Sequence, residues 1–223
     1  MGRDDRWVLS VGSIAFDSIK TESASVDRVL GGAVNYFSVA ASLLSRVEVI
    51  AVVGEDFPEK HLEWLRARGI GTSGVERKPG KTFSWAGEYD STFLEAKTLD
   101  TQLNVFQDFK PKLSTDHLGA PYLFLANIDP ALQLQVLEQV RDHRLTAADT
   151  MNFWIKGSRQ TLQKVLAQVD ILCINEGEAR LLSGCHNLLE ATEAIRAMGP
   201  KVLVVKRGEY GAWVISPTSM ILV

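Results

Sequence analysis

Apolar residues along this chain come in short bursts, separated by polar intervals that carry glycine. The first burst, Trp7-Val-Leu-Ser-Val-Gly-Ser-Ile-Ala-Phe16, is β-branched and nearly continuous, and Asp17 follows it. That pattern predicts a buried strand with a polar residue at its C-terminal mouth. After Gly31-Gly32 the rhythm changes. Val34, Phe37, Ala41 and Leu44 step by three and four residues, which predicts a helix with one apolar face. Residues 47–53 are again a strand of the buried type, closed by Gly54. Asp56 suits an N-cap, with Pro58 in the first turn and Glu59 completing a capping box. The helix it opens runs to Arg68 and stops at Gly69.

A stretch of different character follows. Phe83, Trp85, Gly87 and Tyr89 alternate with Thr82, Ser84, Ala86 and Glu88, a period of two that predicts a strand with two unlike faces. From Tyr122 onward strands and helices alternate once more. Strands are predicted at 122–126, 145–148, 169–174 and 201–205, and helices at 130–142, 158–168, 176–182 and 188–198. Ser158 is a candidate N-cap. Residues 212–215 and 220–223 flank Ser216-Pro-Thr-Ser219 as a hairpin. The expected fold class is α/β: a doubly wound, mainly parallel sheet with helices on both faces. Segments at about 18–30 and 76–110 add a small antiparallel β lid, the whole of 1–223 forming one domain.

Composition narrows the class of protein. The 223 residues are 46% hydrophobic and 23% charged, the profile of a globular chain and not of a disordered one. A net charge of −3 offers no electrostatic footprint for nucleic acid. The two cysteines, Cys173 and Cys185, do not make a disulfide framework. The charged N-terminus is not a secretory signal, and Arg6 stands where a myristoylation motif beginning at Met1-Gly2 needs Ser or Thr. No apolar run approaches the ~20 residues that span a bilayer. A cytoplasmic protein without membrane or nucleic-acid partners is the expectation.

In a doubly wound sheet, ligands bind at the carboxyl ends of the strands. Asp17, Asp149, Asn175 and Lys206 stand at such ends. Gly31-Gly32 opens a helix with free backbone N–H groups and lets a ligand approach the backbone closely. Each feature has a plainer reading. Asp17 could cap a loop, Gly31-Gly32 could be a tight turn, and Asn35 could be a polar residue of a first helical turn. Asn175 and Glu178 could be an N-cap with an acidic first turn, and Gly208 and Gly211 turn glycines. No GxGxxG follows the first strand, and there is no P-loop or nucleophile elbow. The four histidines are scattered, without a metal-ligand spacing.

Taken in order, several segments resemble the ribokinase-like (PfkB) family of carbohydrate and nucleoside kinases. Leu30-Gly-Gly-Ala-Val-Asn-Tyr-Phe-Ser-Val-Ala-Ala-Ser-Leu-Leu44 resembles its first signature, and Val52-Val-Gly-Glu-Asp56 its VGxD element. Asp149-Thr-Met-Asn152 takes the place of a family strand end. Ile174-Asn-Glu-Gly-Glu-Ala-Arg-Leu-Leu182 resembles the NxxE motif, and Val204-Val-Lys-Arg-Gly-Glu-Tyr-Gly-Ala212 the nucleotide loop. The resemblance implies ATP-dependent phosphoryl transfer to a hydroxyl of a sugar or nucleoside, with Mg²⁺. It implies that Asp17 accepts hydrogen bonds from substrate hydroxyls, with Gly31, Gly32 and Asn35 lining the same pocket. Asn175 and Glu178 would place Mg²⁺, through waters, and the phosphates. Lys206 and Gly208 would lie on the nucleotide side, and the lid would exclude water and offer a homodimer contact.

One departure is large. The family's second signature, Asp-Thr-x-Gly-Ala-Gly-Asp, does not occur in this sequence. In the family its last Asp is the general base and its Gly-Ala-Gly backbone the anion hole. It follows the nucleotide loop and its hairpin, where this sequence reaches Met220-Ile-Leu-Val223. The general base is therefore expected beyond Val223, with no catalytic residue assigned within residues 1–223. The chain is expected to be C-terminally incomplete and inactive as given. The alternative is a non-catalytic module that binds a sugar or nucleotide, and a third reading is an unrelated doubly wound enzyme. Asp149-Thr-Met-Asn-Phe-Trp154 lacks the Arg that several sugar-kinase members carry just after the Asn. Trp154, Phe16 and Phe37 could stack on a base or pack in the core.

Overall fold

The computed structural model describes residues 6–90 and 96–223. Residues 1–5, where the readings about a leader and an acyl site fall, and 91–95 of the expected lid lie outside the described residues. The chain packs as two compact units, divided between Tyr122 and Leu123.

The first unit contains β1 (Trp7–Val11), β2 (Ala15–Lys20), β3 (Ser25–Gly31), α1 (Ala33–Ala41), β4 (Arg46–Gly54) and α2 (Glu59–Arg66). It continues with β5 (Ile70–Lys78), β6 (Ser84–Tyr89), β7 (Ala96–Gln102) and α3 (Thr115–Leu118). Strands β1, β4 and β5 lie side by side and parallel, with Val8 opposite Val47 and Val47 opposite Ile70. In β4, Val47 and every residue from Val49 to Val53 are buried, the continuous apolar run that a strand covered on both faces requires.

The other four strands form a small sheet in the order β3-β2-β6-β7. Pairing is antiparallel at β2/β3 and β6/β7, and parallel where β2 meets β6. Asp17 sits in the middle of this sheet, opposite Val29 on one side and Trp85 on the other. The register with β3 shifts between Asp17 and Ile19. Such an irregularity re-aims a side chain beside it.

Three local expectations are corrected here. Strand β5 was not foreseen: among its residues only Ile70 and Thr72 are buried, and its glycines and charges read as loop. Asp56 does not cap α2, whose N-cap is Pro58 without a side-chain hydrogen bond. Its carboxylate is taken instead by Thr82 and Arg28, and Glu59 pairs with Arg66 and Arg77. Helix α1 is shorter than its apolar spacing suggests. It buries Val34, Asn35 and Ser38, and ends at Ala41, leaving Leu44 93% exposed.

The second unit opens at the second residue of β8 (Tyr122–Leu125) and continues with α4 (Pro130–Gln139), β9 (Leu145–Asp149), α5 (Asn152–Gly157) and α6 (Arg159–Leu166). It goes on through β10 (Ile171–Asn175), α7 (Glu176–Ser183), α8 (Leu188–Arg196), β11 (Val202–Lys206), β12 (Ala212–Ile215) and β13 (Met220–Leu222). Strands β9, β10 and β11 are parallel, and β11, β12 and β13 are joined antiparallel as the expected hairpin. Val223 falls one residue past β13, where the hairpin was expected to include it. It still exchanges both backbone hydrogen bonds with Ala212, each at 2.9 Å. Helix α5 is an addition to the expected elements. It ends at Ser158, which begins α6 without a side-chain cap bond. Leu172 and Ile174 of β10 and Leu203 and Val205 of β11 are fully buried. Each such side chain contributes about 1.5–3 kcal/mol of transfer free energy. Among the described residues no helix is long and apolar enough to cross a membrane.

Candidate active site

In the first unit the candidate residues gather around Asp17. Strand β2 brings its carboxylate over Gly31, at the end of β3. A Cβ at Gly31 would land on the carboxylate itself. Gly32 has φ 93, a conformation that side chains disfavour, and a Cβ there would meet Ala15 N and Ile14 Cα at 2.8 Å and the Ser13 carbonyl closer still. Gly32 is therefore demanded twice, by backbone angle and by the backbone atoms packed against it, while a side chain at 31 would displace the Asp17 carboxylate. Asn35, in the first turn of α1, donates its amide to the Gly31 carbonyl, while its buried Oδ1 has no hydrogen-bond partner. Burial raises the Asp17 carboxyl above its usual range, against opposing hydrogen bonds from the Gly32 backbone and the Tyr36 hydroxyl. Tyr36 is raised as well, by burial first and by the Asp17 charge second. Asp17, Gly31, Gly32 and Asn35 thus share one corner. Tyr36 joins them there, unannounced by the sequence except for its place beside Asn35.

Gly32→Ala is expected to destabilise the fold by about 1–3 kcal/mol, the range for forcing a side chain into a strained and occupied position. Thermal or urea unfolding checks it, and an unchanged melt would contradict this account of the turn.

In the second unit Asn175 and Glu178 form a reciprocal capping box. Asn175 Oδ1 accepts from the Glu178 N–H at 2.8 Å, and Glu178 Oε2 accepts from the Asn175 N–H at 2.7 Å. The plainer reading of this motif is therefore realised, and it fixes both side chains at the N-terminus of α7. Asn175 lies opposite Lys206 in the β10/β11 register, and Cys173 opposite Asp149 in β9/β10. Asp149 Oδ1 is shut off from solvent and has no hydrogen-bond partner. Burial pushes the Asp149 carboxyl up to about 7, against the attraction of Lys206 and with help from the negative Glu178. Burial and the Asp149 charge likewise push the Cys173 thiol up to about 11, which keeps it unreactive.

Gly208 opens the turn after β11 with φ 58. Arg207 beside it donates to Glu176 at 2.9 Å and lies over the Trp213 ring at 4.5 Å, anchoring the loop to α7 and to β12. The Gln133 amide sits within 3.2 Å of the Leu125, Ala126 and Asp149 carbonyls, holding the carboxyl ends of β8 and β9 together. Neither Arg207 nor Gln133 stood out in the sequence, because their partners lie in other elements, up to 31 residues away.

A carboxyl raised by burial makes the folded state bind more protons than the unfolded one, so stability falls as pH rises between the two values. For Asp149 that window runs from about 4 to about 7. Asp149→Asn is expected to melt above the wild type at pH 8, with the gap closing toward pH 5. Melting curves across that range check it, and a gap that does not vary with pH would contradict it.

Asp149 and Glu178 are carboxylates, but among the described residues no group of three or more His, Cys, Asp or Glu is arranged to hold a metal directly. Glu178, whose carboxylate is already engaged in a helix cap, fits contact with Mg²⁺ through water and not direct ligation. The Lys206 ammonium is exposed and fits a phosphate.

The pfkB family of carbohydrate kinases matches the chain over residues 5–222. A cytidine kinase of Thermococcus kodakarensis is 26% identical over 213 residues, 92% of this chain and 74% of that protein. A Burkholderia thailandensis nucleoside kinase in complex with inosine superposes with a TM-score of 0.77 at 17% identity, covering 97% of this chain and 75% of that one. A ribokinase II from E. coli in complex with ATP and Mg²⁺ gives 0.78 at 19% identity, covering 98% and 78%. These likenesses show a ribokinase-like α/β fold, as expected.

Proposed function

Because this chain belongs to the pfkB family of carbohydrate kinases, we propose that it binds a nucleoside or sugar at Asp17 for phosphorylation by ATP. The observation that carries this reading is the corner at Asp17. A half-buried carboxylate is left room by Gly31, and the Asn35 carbonyl oxygen in the same corner is buried without a partner. Unpaired buried polar atoms are costly, and a polyhydroxy ligand would supply their hydrogen bonds. Gly31 leaves the space that the Asp17 carboxylate takes, and Asn35 fixes the ligand's orientation. The likeness to a cytidine kinase and to a nucleoside kinase makes nucleosides the acceptors to test first.

In the second unit Asn175 and Glu178 would orient Mg²⁺ through water, and Lys206 and Gly208 would hold the nucleotide phosphates. ATP supplies the phosphoryl group and Mg²⁺ neutralises its charge. Asp149 and Lys206, both at carboxyl ends of parallel strands, set the local field.

Residues 1–223 contain no Gly-Ala-Gly-Asp sequence. We infer that the residues from Met1 to Val223 bind acceptor and nucleotide but lack the general base and the anion hole. Calorimetric titration with cytidine, inosine, adenosine, ribose and fructose tests the proposal. Saturable binding of at least one member in the absence of nucleotide is expected, and silence across the panel would overturn it.

A further inference from the structure

Asp56 lies in the loop after β4, outside every helix. Its Oδ1 accepts from both the Thr82 N–H and the Thr82 hydroxyl at 2.7 Å, and its Oδ2 accepts from Arg28 Nη2 at 3.0 Å. The Thr82 hydroxyl oxygen accepts in turn from the Gly54 N–H at 3.0 Å, and the Thr82 carbonyl from Asn104 Nδ2 at 3.0 Å. The Arg28 guanidinium also covers the Phe16 ring, 4.2 Å from its centre.

These residues sit at the four places where the small sheet joins the rest of its unit. Phe16 is at the start of β2, next to Asp17, and Arg28 is near the end of β3. Thr82 precedes β6, and Asn104 follows β7. All four strands are thus tied, at one end, to a single carboxylate or to its direct partners.

The backbone points to the same place. Arg28 and Asn104 are the non-glycine residues with positive φ among those described, each at 50°. Left-handed backbone at such residues persists only where the surroundings over-determine it, and it collects at clamps and switch regions. Here both strained residues donate into the Asp56–Thr82 node. A lone exposed Arg–Asp pair would contribute little. Asp56 differs in having three donors. Although burial opposes it, the Thr82 bonds and the Arg28 charge hold its carboxyl below the usual range.

We propose that Asp56 is a positioning residue that fastens the small sheet at all four crossings and so sets where β2 presents Asp17. Its functional consequence rests on the proposed acceptor role of Asp17, but the fastening is open to test without any ligand.

The test is hydrogen–deuterium exchange on the ligand-free 223-residue chain. Asp56→Ala is expected to raise exchange in β2, β3, β6 and β7 by about tenfold or more, with β1 and β4 unchanged to within about twofold. Asp56→Asn keeps an acceptor for Thr82 but loses the charge facing Arg28, so its effect should be smaller and greatest in β3. Arg28→Ala should match Asp56→Asn and add nothing on top of Asp56→Ala, as expected of residues in one network. A rise spread equally over β1 and β4, or unchanged rates in the small sheet, would overturn the proposal. Should Asp56→Ala fail to fold, Asp56→Asn and Arg28→Ala carry the same comparison. Acceptor affinity is the second readout: Asp56→Asn should weaken it without altering ATP affinity, and an unchanged acceptor affinity would overturn the positioning role. A wild-type chain that binds no acceptor contradicts the proposed function instead, and the exchange pattern still decides the fastening.

Discussion

Supplied with ATP, Mg²⁺ and each acceptor of the panel, residues 1–223 should release ADP at least ~10⁴-fold more slowly than a family kinase that carries the Gly-Ala-Gly-Asp segment. A positioned general base contributes about 10²–10⁴-fold, and one preorganised donor for developing negative charge about 10²–10³-fold. Their effects are not additive, so the lower product is the safer expectation. Binding and orientation at Asp17, Asn175, Glu178 and Lys206 would remain, which is why residual turnover need not be zero. A coupled ADP assay checks this. Turnover within about tenfold of an intact family kinase would mean that another group in the chain takes the acceptor's proton.

Asp17→Ala should weaken acceptor binding by about 10²–10⁴-fold. A charge-assisted hydrogen bond contributes roughly 1.5–3 kcal/mol, and a carboxylate that spans two vicinal hydroxyls makes two of them. Asp17→Asn should fall between, because an amide accepts at one oxygen only. Stability should move the other way. Burial raises the Asp17 carboxyl in the folded state. In its ionised form it therefore weakens the empty fold, by the same linkage that governs Asp149. Asp17→Asn should melt at or above the wild type at pH 8 without ligand, while losing affinity. A variant that loses affinity and also melts well below the wild type would assign Asp17 to the scaffold. Calorimetry paired with thermal melts separates the two outcomes.

Much of this organisation was readable from local pattern. The apolar run Val49–Val53 of β4 reflects burial on two faces, and the hairpin after Lys206 a turn; the alternation in β6 marks a strand, but only Gly87 of it is buried. Asn175 and Glu178 announced their capping box because its partners are three residues apart. What stayed hidden depends on distance along the chain. Asp56 looked like a helix cap since its neighbours Pro58 and Glu59 suit one, yet its partners are Thr82 and Arg28, 26 and 28 residues away. Strand β5 was hidden because two of its residues are glycines whose space is filled by Glu48 and Ile50 of β4. In the site, residue types at strand ends pointed to Asp17, Asp149 and Lys206. They could not show that Gly31 stands where a Cβ would strike the Asp17 carboxylate, or that the Asp149 oxygen is unpaired. Those are facts of packing.

The central claim is that the acceptor binds at Asp17. The most direct measurement is the change in hydrogen–deuterium exchange when the tightest-binding member of the nucleoside and sugar panel is added to saturation. Protection is predicted in β2 around Asp17 and across Gly31 to Asn35, and its loss in Asp17→Ala at the same ligand concentration. Protection confined to the second unit, or protection that Asp17→Ala leaves intact, would contradict the account.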